Sequence, residues 1–290
     1  MSREACARQA APFIVGVGRS GTTLLRLMLD AHPALSIPPE TDFVPAAASL
    51  AVIDPSPSAF VALLTQTPTW RDFGIGADEV AERTAAIVPF DVAAATRAFY
   101  ELYAQRHGKP RWGDKTPGYL GSIPEIWTLL PEAHFVHIIR DGRAVAASMR
   151  NMPFAPGDGS INSLARSWRD QILGARSRLT GEEPYLEIHY EDLVTAPEAE
   201  LRRICAFIGL PYDERSLDYH RSAGERLAEL TDFHAGGRLV MTGDARVAAV
   251  REALGPPDPS RIAGWQADLG ASERRTFEAT AGDLLEELGY

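Results

Sequence analysis

An α/β fold, with helices on both faces of a central parallel sheet, is the architecture this sequence predicts. Three observations predict it. Apolar, strand-like runs recur at residues 13–17, 134–139 and 184–190. Each run is followed by a stretch with helical spacing of its apolar residues. The first run enters a glycine-rich turn before its helix, an order that places phosphate-binding loops in parallel sheets. Strands alternating with helices imply parallel pairing and cover on both sheet faces.

The elements follow in order. Residues 13–17 are an unbroken apolar run. The turn spans Gly16 to Gly21, and Thr22 opens a helix with Leu24, Leu25, Leu27 and Met28 on its apolar side. Asp30-Ala-His-Pro33 stops that helix. Residues 35–37 read as a short strand before Pro38-Pro39-Glu40-Thr41. Residues 58–103 are helical with proline and glycine interruptions, and 93–105 is the clearest helix there. Residues 111–115 read as a short strand, and 123–130 as a helix. The apolar run 134–139 leads into Arg140-Asp-Gly142 and a helix over 144–150. Pro153, Pro156, Gly157 and Gly159 make 151–162 a mobile loop. A long helix covers 163–179, the third strand 184–190, and a helix over 196–208 ends at Gly209. Beyond Asp213 the pattern weakens. Residues 231–264 are rich in glycine, proline and charge, with one helical piece near 245–254. An amphipathic helix over 272–288 closes the chain. No repeat, low-complexity tract or linker divides it, so a single domain over 1–290 is expected.

The bulk properties narrow the function. A 290-residue chain buries about 75% of its unfolded surface, enough for a substantial core. The net charge of −10 argues against nucleic acid as a main partner, which needs a basic footprint. A local basic pocket for a small anion remains compatible with it. There are two cysteines, Cys6 and Cys205. Cys205 sits in a helical apolar pattern and reads as a buried small residue. No zinc-type Cys/His spacing appears. Residues 1–11 lack the apolar core of a signal peptide, and no run approaches the ~18 apolar residues of a membrane span. The expectation is a cytoplasmic protein whose oligomeric state the sequence leaves open.

The spacing Gly16-x-x-x-x-Gly21 matches the first part of a Walker A phosphate loop. Walker A then needs lysine, and here Thr22 follows. A cation, Arg19, sits inside the loop instead. In open α/β sheets, ligands bind beyond the carboxyl ends of the strands. The loop from Gly18 to Thr23, Lys115 and Arg140 each end a predicted strand and should converge there. Arg140 and Ser148 lie eight residues apart, roughly two helical turns, and so face one side. A guanidinium fork with a hydroxyl is a good phosphate clamp. For Arg140 alone, an ion pair with Asp141 at the helix start is the competing reading.

The pair Gly18-Arg-Ser-Gly-Thr-Thr23 and Ile139-Arg-Asp-Gly-Arg-Ala-Val-Ala-Ala-Ser148 resembles the two nucleotide-binding motifs of the sulfotransferases. Those enzymes use 3′-phosphoadenosine 5′-phosphosulfate (PAPS) as donor. The branch it most resembles includes the protein-tyrosine sulfotransferases and their bacterial relatives. Leu29-Asp-Ala-His-Pro33, Pro39-Glu-Thr41, Gly113-Asp-Lys-Thr-Pro117 and His189-Tyr-Glu-Asp-Leu193 follow in the family's order, over roughly residues 13–193.

The resemblance implies a P-loop three-layer sandwich with a helical acceptor-side insertion at about 45–107. It implies sulfuryl transfer to a hydroxyl acceptor. It gives Arg19, Ser20, Gly21, Thr22 and Thr23 to the 5′-phosphosulfate, and Arg140 and Ser148 to the 3′-phosphate. It gives Tyr190 to the nucleotide, Lys115 to charge stabilisation, and Glu40 to the role of base. A carboxylate of pKa about 4 is a weak base, so the site must raise that value or take the proton late. His32, in a helix-end turn, is the second candidate base. His137 and His189 read as core residues. No metal is implied, because the Walker lysine and a Mg²⁺ ligand set are missing.

Two positions depart from the branch. Met152 stands where it has a further arginine, and Gly264 rather than a basic residue precedes Trp265. Arg261 is the nearest upstream cation that would complete the phosphate site. These departures point away from peptide tyrosine and toward a small-molecule acceptor such as a metabolite, sugar or lipid. Two rival functions stay open: a P-loop small-molecule kinase, which Thr22 opposes, and a non-catalytic nucleotide-binding protein.

Overall fold

The computed structural model describes residues 8–290; Cys6 lies outside them. The elements run β1 (Ala11–Val15), α1 (Thr22–Asp30), β2 (Leu35–Ser36), α2 (Val44–Ile53), α3 (Pro57–Thr65), α4 (Ala77–Ala85) and α5 (Val92–Arg106). Next come β3 (Arg111–Trp112), β4 (Asp114–Lys115), α6 (Ile123–Leu129), β5 (Ala133–Ile139), α7 (Gly142–Met149) and α8 (Ile161–Arg178). Then follow β6 (Tyr185–His189), α9 (Tyr190–Thr195), α10 (Pro197–Phe207) and α11 (Ala223–Leu227). The chain ends with β7 (Phe233–Ala235), β8 (Arg238–Met241), α12 (Gly243–Ala249), α13 (Trp265–Asp268) and α14 (Ala271–Glu287).

The central sheet has four strands in the order β4-β1-β5-β6, all parallel. Strand side chains alternate between faces, and the core divides accordingly. Phe13, Val15, Phe135 and Ile139 pack on one side with α5, α8 and α14 residues such as Phe99, Trp168 and Phe277. Ile14, Val136 and Ile138 pack on the other with Leu25, Leu193 and Ile204. Helices thus cover both faces, giving the expected three-layer α/β sandwich.

The stretch 111–115 is not one strand. Arg111–Trp112 pairs with β2, and Asp114–Lys115 pairs with β1. Gly113 makes the crossing possible: a Cβ there would lie 2.8 Å from the Pro12 carbonyl oxygen. Tyr190 opens α9 rather than ending β6. Helix α2 and the β7–β8 hairpin are among the elements that escape sequence reading. Helix α2 is almost wholly Ala, Val, Leu and Ile, without a polar face to reveal its period. The β7–β8 hairpin turns on Gly236-Gly237, a pair that favours tight hairpins.

A buried ionic cluster fixes the loop that follows β2. Arg26 Nε donates to the Ile37 carbonyl at 2.9 Å, and Asp30 accepts from the Ile37 amide at 2.8 Å. Arg226 Nε reaches Asp30 at 2.9 Å. These contacts hold Ile37, where the loop begins, against α1. Cys205 is buried, and burial pushes its thiol up to about 11, as expected of an unreactive core residue. Among the described residues, no helix is long and apolar enough to cross a membrane.

Candidate active site

One cavity of about 910 Å³ opens at the carboxyl ends of β1, β4 and β5. That size suits a nucleotide or drug-sized ligand, for which ~300–1,000 Å³ is ordinary. Arg19, Gly21, Thr22, Thr23, Glu40, Lys115, Arg140, Tyr190 and Arg261 all line it. The convergence expected from the sequence is therefore present.

The glycine loop enters left-handed backbone at Arg19, φ 73°, and Gly21, φ 98°. Gly21 caps α1 without any side-chain hydrogen bond, so the first N–H groups of the helix stay available to an anion. A Cβ at Gly21 would sit 2.4 Å from the Tyr190 ring, so only glycine fits. Ser20 is buried and its Oγ has no partner.

Arg140 leaves β5 and lays its guanidinium 4.3 Å over the Tyr190 ring. It does not pair with Asp141, which caps α7 through the Arg143 amide at 2.9 Å and pairs with the Arg143 side chain. Arg140 Nη1 donates to the Arg19 carbonyl at 3.2 Å, while its buried Nε has no partner. Ser148 makes its contact within the protein. Its Oγ accepts from Arg19 Nε at 2.9 Å rather than joining Arg140. Arg19 also donates to the Ala249 carbonyl at 2.8 Å. It is thus the hub joining the loop, α7 and the end of α12. The unpartnered Ser20 hydroxyl and Arg140 Nε, buried beside open helix amides, fit an anionic phosphate-bearing ligand.

Lys115, at the end of β4, is buried and donates to Glu40 Oε1 at 2.6 Å. Burial works to raise the Glu40 carboxyl. The Lys115 charge and hydrogen bond, with Arg246 and Arg26 behind them, outweigh it and hold the carboxyl below its ordinary value. In the free protein the site does not raise Glu40, which leaves late proton uptake as its way to act as a base. A network pins the Glu40 loop to β4. Thr41 Oγ1 donates to Asp114 at 2.7 Å, and Tyr100 donates to the same carboxyl at 2.8 Å.

His32 is excluded from the site. It is buried, its Nδ1 accepts from the Ala34 amide at 3.0 Å, and its Nε2 meets the Pro211 carbonyl at 2.9 Å. The ring locks the turn after α1. His137 is fully buried against Tyr185, and His189 packs 5.4 Å from the Tyr290 ring. Arg261 does reach the cavity, but it is ion-paired with Glu252 and Asp258. Trp265 lies 4.3 Å under the Arg143 guanidinium instead of joining the cavity.

Sequence reading missed four contributors. Asp42 lines the cavity with φ 55°. Arg246 of α12 lines it too and forms a two-pronged pair with buried Asp72, at 3.0 and 2.7 Å. The segment 249–258 supplies a whole wall. Asp42 stands two residues past Glu40, which was the one available signal; the others depend on contacts between distant residues. Among the described residues, no group of His, Cys, Asp and Glu is placed to hold a metal.

The fold and the cavity define an α/β transferase of the phosphate-loop class. The comparisons with known proteins sharpen that class. The family model described as the sulfotransferase family matches residues 12–214, and the chain belongs to that family: it is a sulfotransferase enzyme. Protein-tyrosine sulfotransferase A of Caenorhabditis elegans is 29% identical over 74% of this chain and 54% of its own length. Nodulation protein NoeE of Sinorhizobium fredii is 29% identical over 100% of this chain and 68% of its own length. The chain therefore spans about half of the first of these curated relatives and about two thirds of the second. The sulfotransferase domain from the curacin biosynthetic pathway superposes with a TM-score of 0.59 at 20% identity, covering 95% of this chain and 98% of that domain; this shows the shared fold.

Proposed function

We propose that this sulfotransferase takes its sulfuryl group from PAPS and transfers it to a hydroxyl of a small-molecule acceptor. The observation that carries the proposal is the meeting, in one cavity, of the glycine loop, Arg140 and the Lys115–Glu40 pair. When bound, the donor supplies an activated sulfuryl group on a phosphate leaving group. Ser20, Gly21, Thr22, Thr23 and the open amides of α1 would hold the 5′-phosphosulfate end, with Arg19 positioning the loop. Arg140, stacked on Tyr190, would hold the 3′-phosphate, with Ser148 acting through Arg19 and Arg261 at the rim.

The chain's own groups then do three things. The loop and Arg140 fix the donor, which removes orientational freedom before reaction. Lys115 offsets charge that grows on the leaving oxygen. Glu40 accepts the acceptor hydroxyl's hydrogen bond and draws its proton as the new bond forms. Phe154, Leu230, Phe233 and Met241 line the same cavity, which supports an acceptor with an apolar body. Glycine rather than a basic residue before Trp265, together with Met152, favours a small molecule over a peptide tyrosine.

The test is thermal melting with the donor's product, adenosine 3′,5′-bisphosphate. A ligand at about 100 times its Kd stabilises the folded state by about 2.7 kcal/mol, a readily visible rise in Tm. Stabilisation by the bisphosphate but not by Mg·ATP is expected. The reverse pattern would replace this reading with a kinase.

A further inference from the structure

Asp42 is the carboxyl that the account so far leaves idle. It makes no ion pair and no side-chain hydrogen bond among the described residues, yet it lines the reaction cavity two positions beyond Glu40. Its backbone is left-handed, φ 55°, a conformation that costs energy for a residue with a Cβ and clusters at functional sites. A buried group without a partner belongs to a residue lining the same cavity. Thr69 is 98% buried by its 2% exposure, and its Oγ1 has no partner. Thr69 opens the short turn that carries Asp72, the partner of Arg246. A hydroxyl and a carboxyl without protein partners therefore belong to residues that line the cavity holding the phosphate loop.

We propose that Asp42 is a further catalytic residue: it meets the acceptor hydroxyl beside Glu40 and is the carboxyl on which the proton comes to rest. The inference rests on the sulfuryl-transfer reading. In the step, the acceptor oxygen forms a bond to sulfur. The bond from sulfur to the oxygen of the donor's 5′-phosphate breaks, and its electron pair stays on that phosphate. Glu40 draws the acceptor proton as the new bond forms and passes it to Asp42, where it ends. Glu40, held ionised by Lys115, orients the hydroxyl and polarises it but retains a proton poorly.

The surroundings agree. Although Asp42 is exposed as a residue, its place among the cavity walls pushes the carboxyl up to about 7, with Glu40 and Asp114 adding to the rise and Lys115 and Arg246 opposing it. Two carboxyls in one site, one pushed down and one pushed up, mark a division of acid–base roles. A base that titrates near the working pH is the efficient kind.

The test compares Asp42→Asn with the wild type on two acceptors, octanol and a nitrophenol, using sulfur-labelled PAPS. Asparagine tolerates left-handed backbone, so the loop is kept. Octanol needs a base, whereas an already acidic nitrophenol does not. Expected is a loss of about 10²-fold or more with octanol, little loss with nitrophenol, and an unchanged melting shift with the bisphosphate. The fall in wild-type kcat/KM below about pH 7 should also disappear in the variant. Asp42→Glu should recover part of the octanol rate. Equal losses on both acceptors, or no loss on octanol, would overturn this assignment while leaving the sulfuryl-transfer reading intact. Failure of the wild type to turn over either acceptor would overturn both.

Discussion

Lys115 Nζ donates to Glu40 Oε1 at 2.6 Å, a contact that joins the end of β4 to the loop after β2 across 75 positions. The Lys115 charge favours the ionised Glu40 carboxylate, and both residues line the cavity that holds the glycine loop. Replacing Lys115 by methionine removes the main charge holding Glu40 down. Turnover should fall by about 10²–10³-fold, the usual cost of losing one group aimed at developing charge. Bisphosphate affinity should change only a few-fold. A variant that loses binding and turnover equally would place Lys115 in donor binding instead.

Arg140 and Ser148 should separate in their effects on bisphosphate affinity. Arg140 offers a buried, unpartnered Nε, so Arg140→Ala should weaken Kd by about 10- to 100-fold, the range of a lost charged hydrogen bond. Ser148 accepts a hydrogen bond from Arg19, and if it acts through that contact Ser148→Ala should cost about 1 kcal/mol, or roughly fivefold. Titration calorimetry measures both. An equal or larger loss at Ser148 would mean that its hydroxyl touches the ligand directly.

The Asp72–Arg246 pair ties the wall formed after α12 to the helices before α5. Asp72 is fully buried in its side chain and Arg246 nearly so. Removing one partner leaves an uncompensated charge, so Asp72→Ala should destabilise the fold by about 3–5 kcal/mol. Urea unfolding of the wild type and the variant gives the difference. A loss below about 1 kcal/mol is the value of an exposed pair and would show that this wall opens freely to solvent.

Asp114 should make stability depend on pH in an unusual direction. Burial pushes its carboxyl from 3.8 up to about 6, against the pull of hydrogen bonds from Thr41, Tyr100 and Thr116. A raised acid contributes stability below its unfolded pKa and loses it as pH rises through the folded value. Between about pH 4 and pH 6, the Asp114→Asn variant should therefore gain Tm relative to the wild type as pH increases. A constant Tm gap across that window would show that Asp114 titrates normally.

The part of this site that was legible in the sequence is the part built from neighbours. β1, its glycine turn and α1 are contiguous, and their periodicity and glycine spacing declare them. Lys115 and Arg140 were placed by the simple fact that each ends a strand. The partners of these residues were not legible. Ser148 joins Arg19 across 129 positions, and Arg246 joins Asp72 across 174. Residues 233–261 are ordered by contacts such as Arg19 with the Ala249 carbonyl, not by any repeat of apolar residues, so their pattern looked irregular. Nor did local sequence reveal that His32 is consumed by its own turn.

Transfer of a sulfuryl group from PAPS in this cavity, under the control of Lys115 and Glu40, can be followed directly. The most direct measurement incubates the wild type, Lys115→Ala and Glu40→Ala with sulfur-labelled PAPS and an apolar alcohol, and follows label in the alcohol. The account predicts sulfated product from the wild type, losses of about 10²-fold or more in both variants, and bisphosphate binding preserved in all three. Wild-type rates in both variants would contradict it.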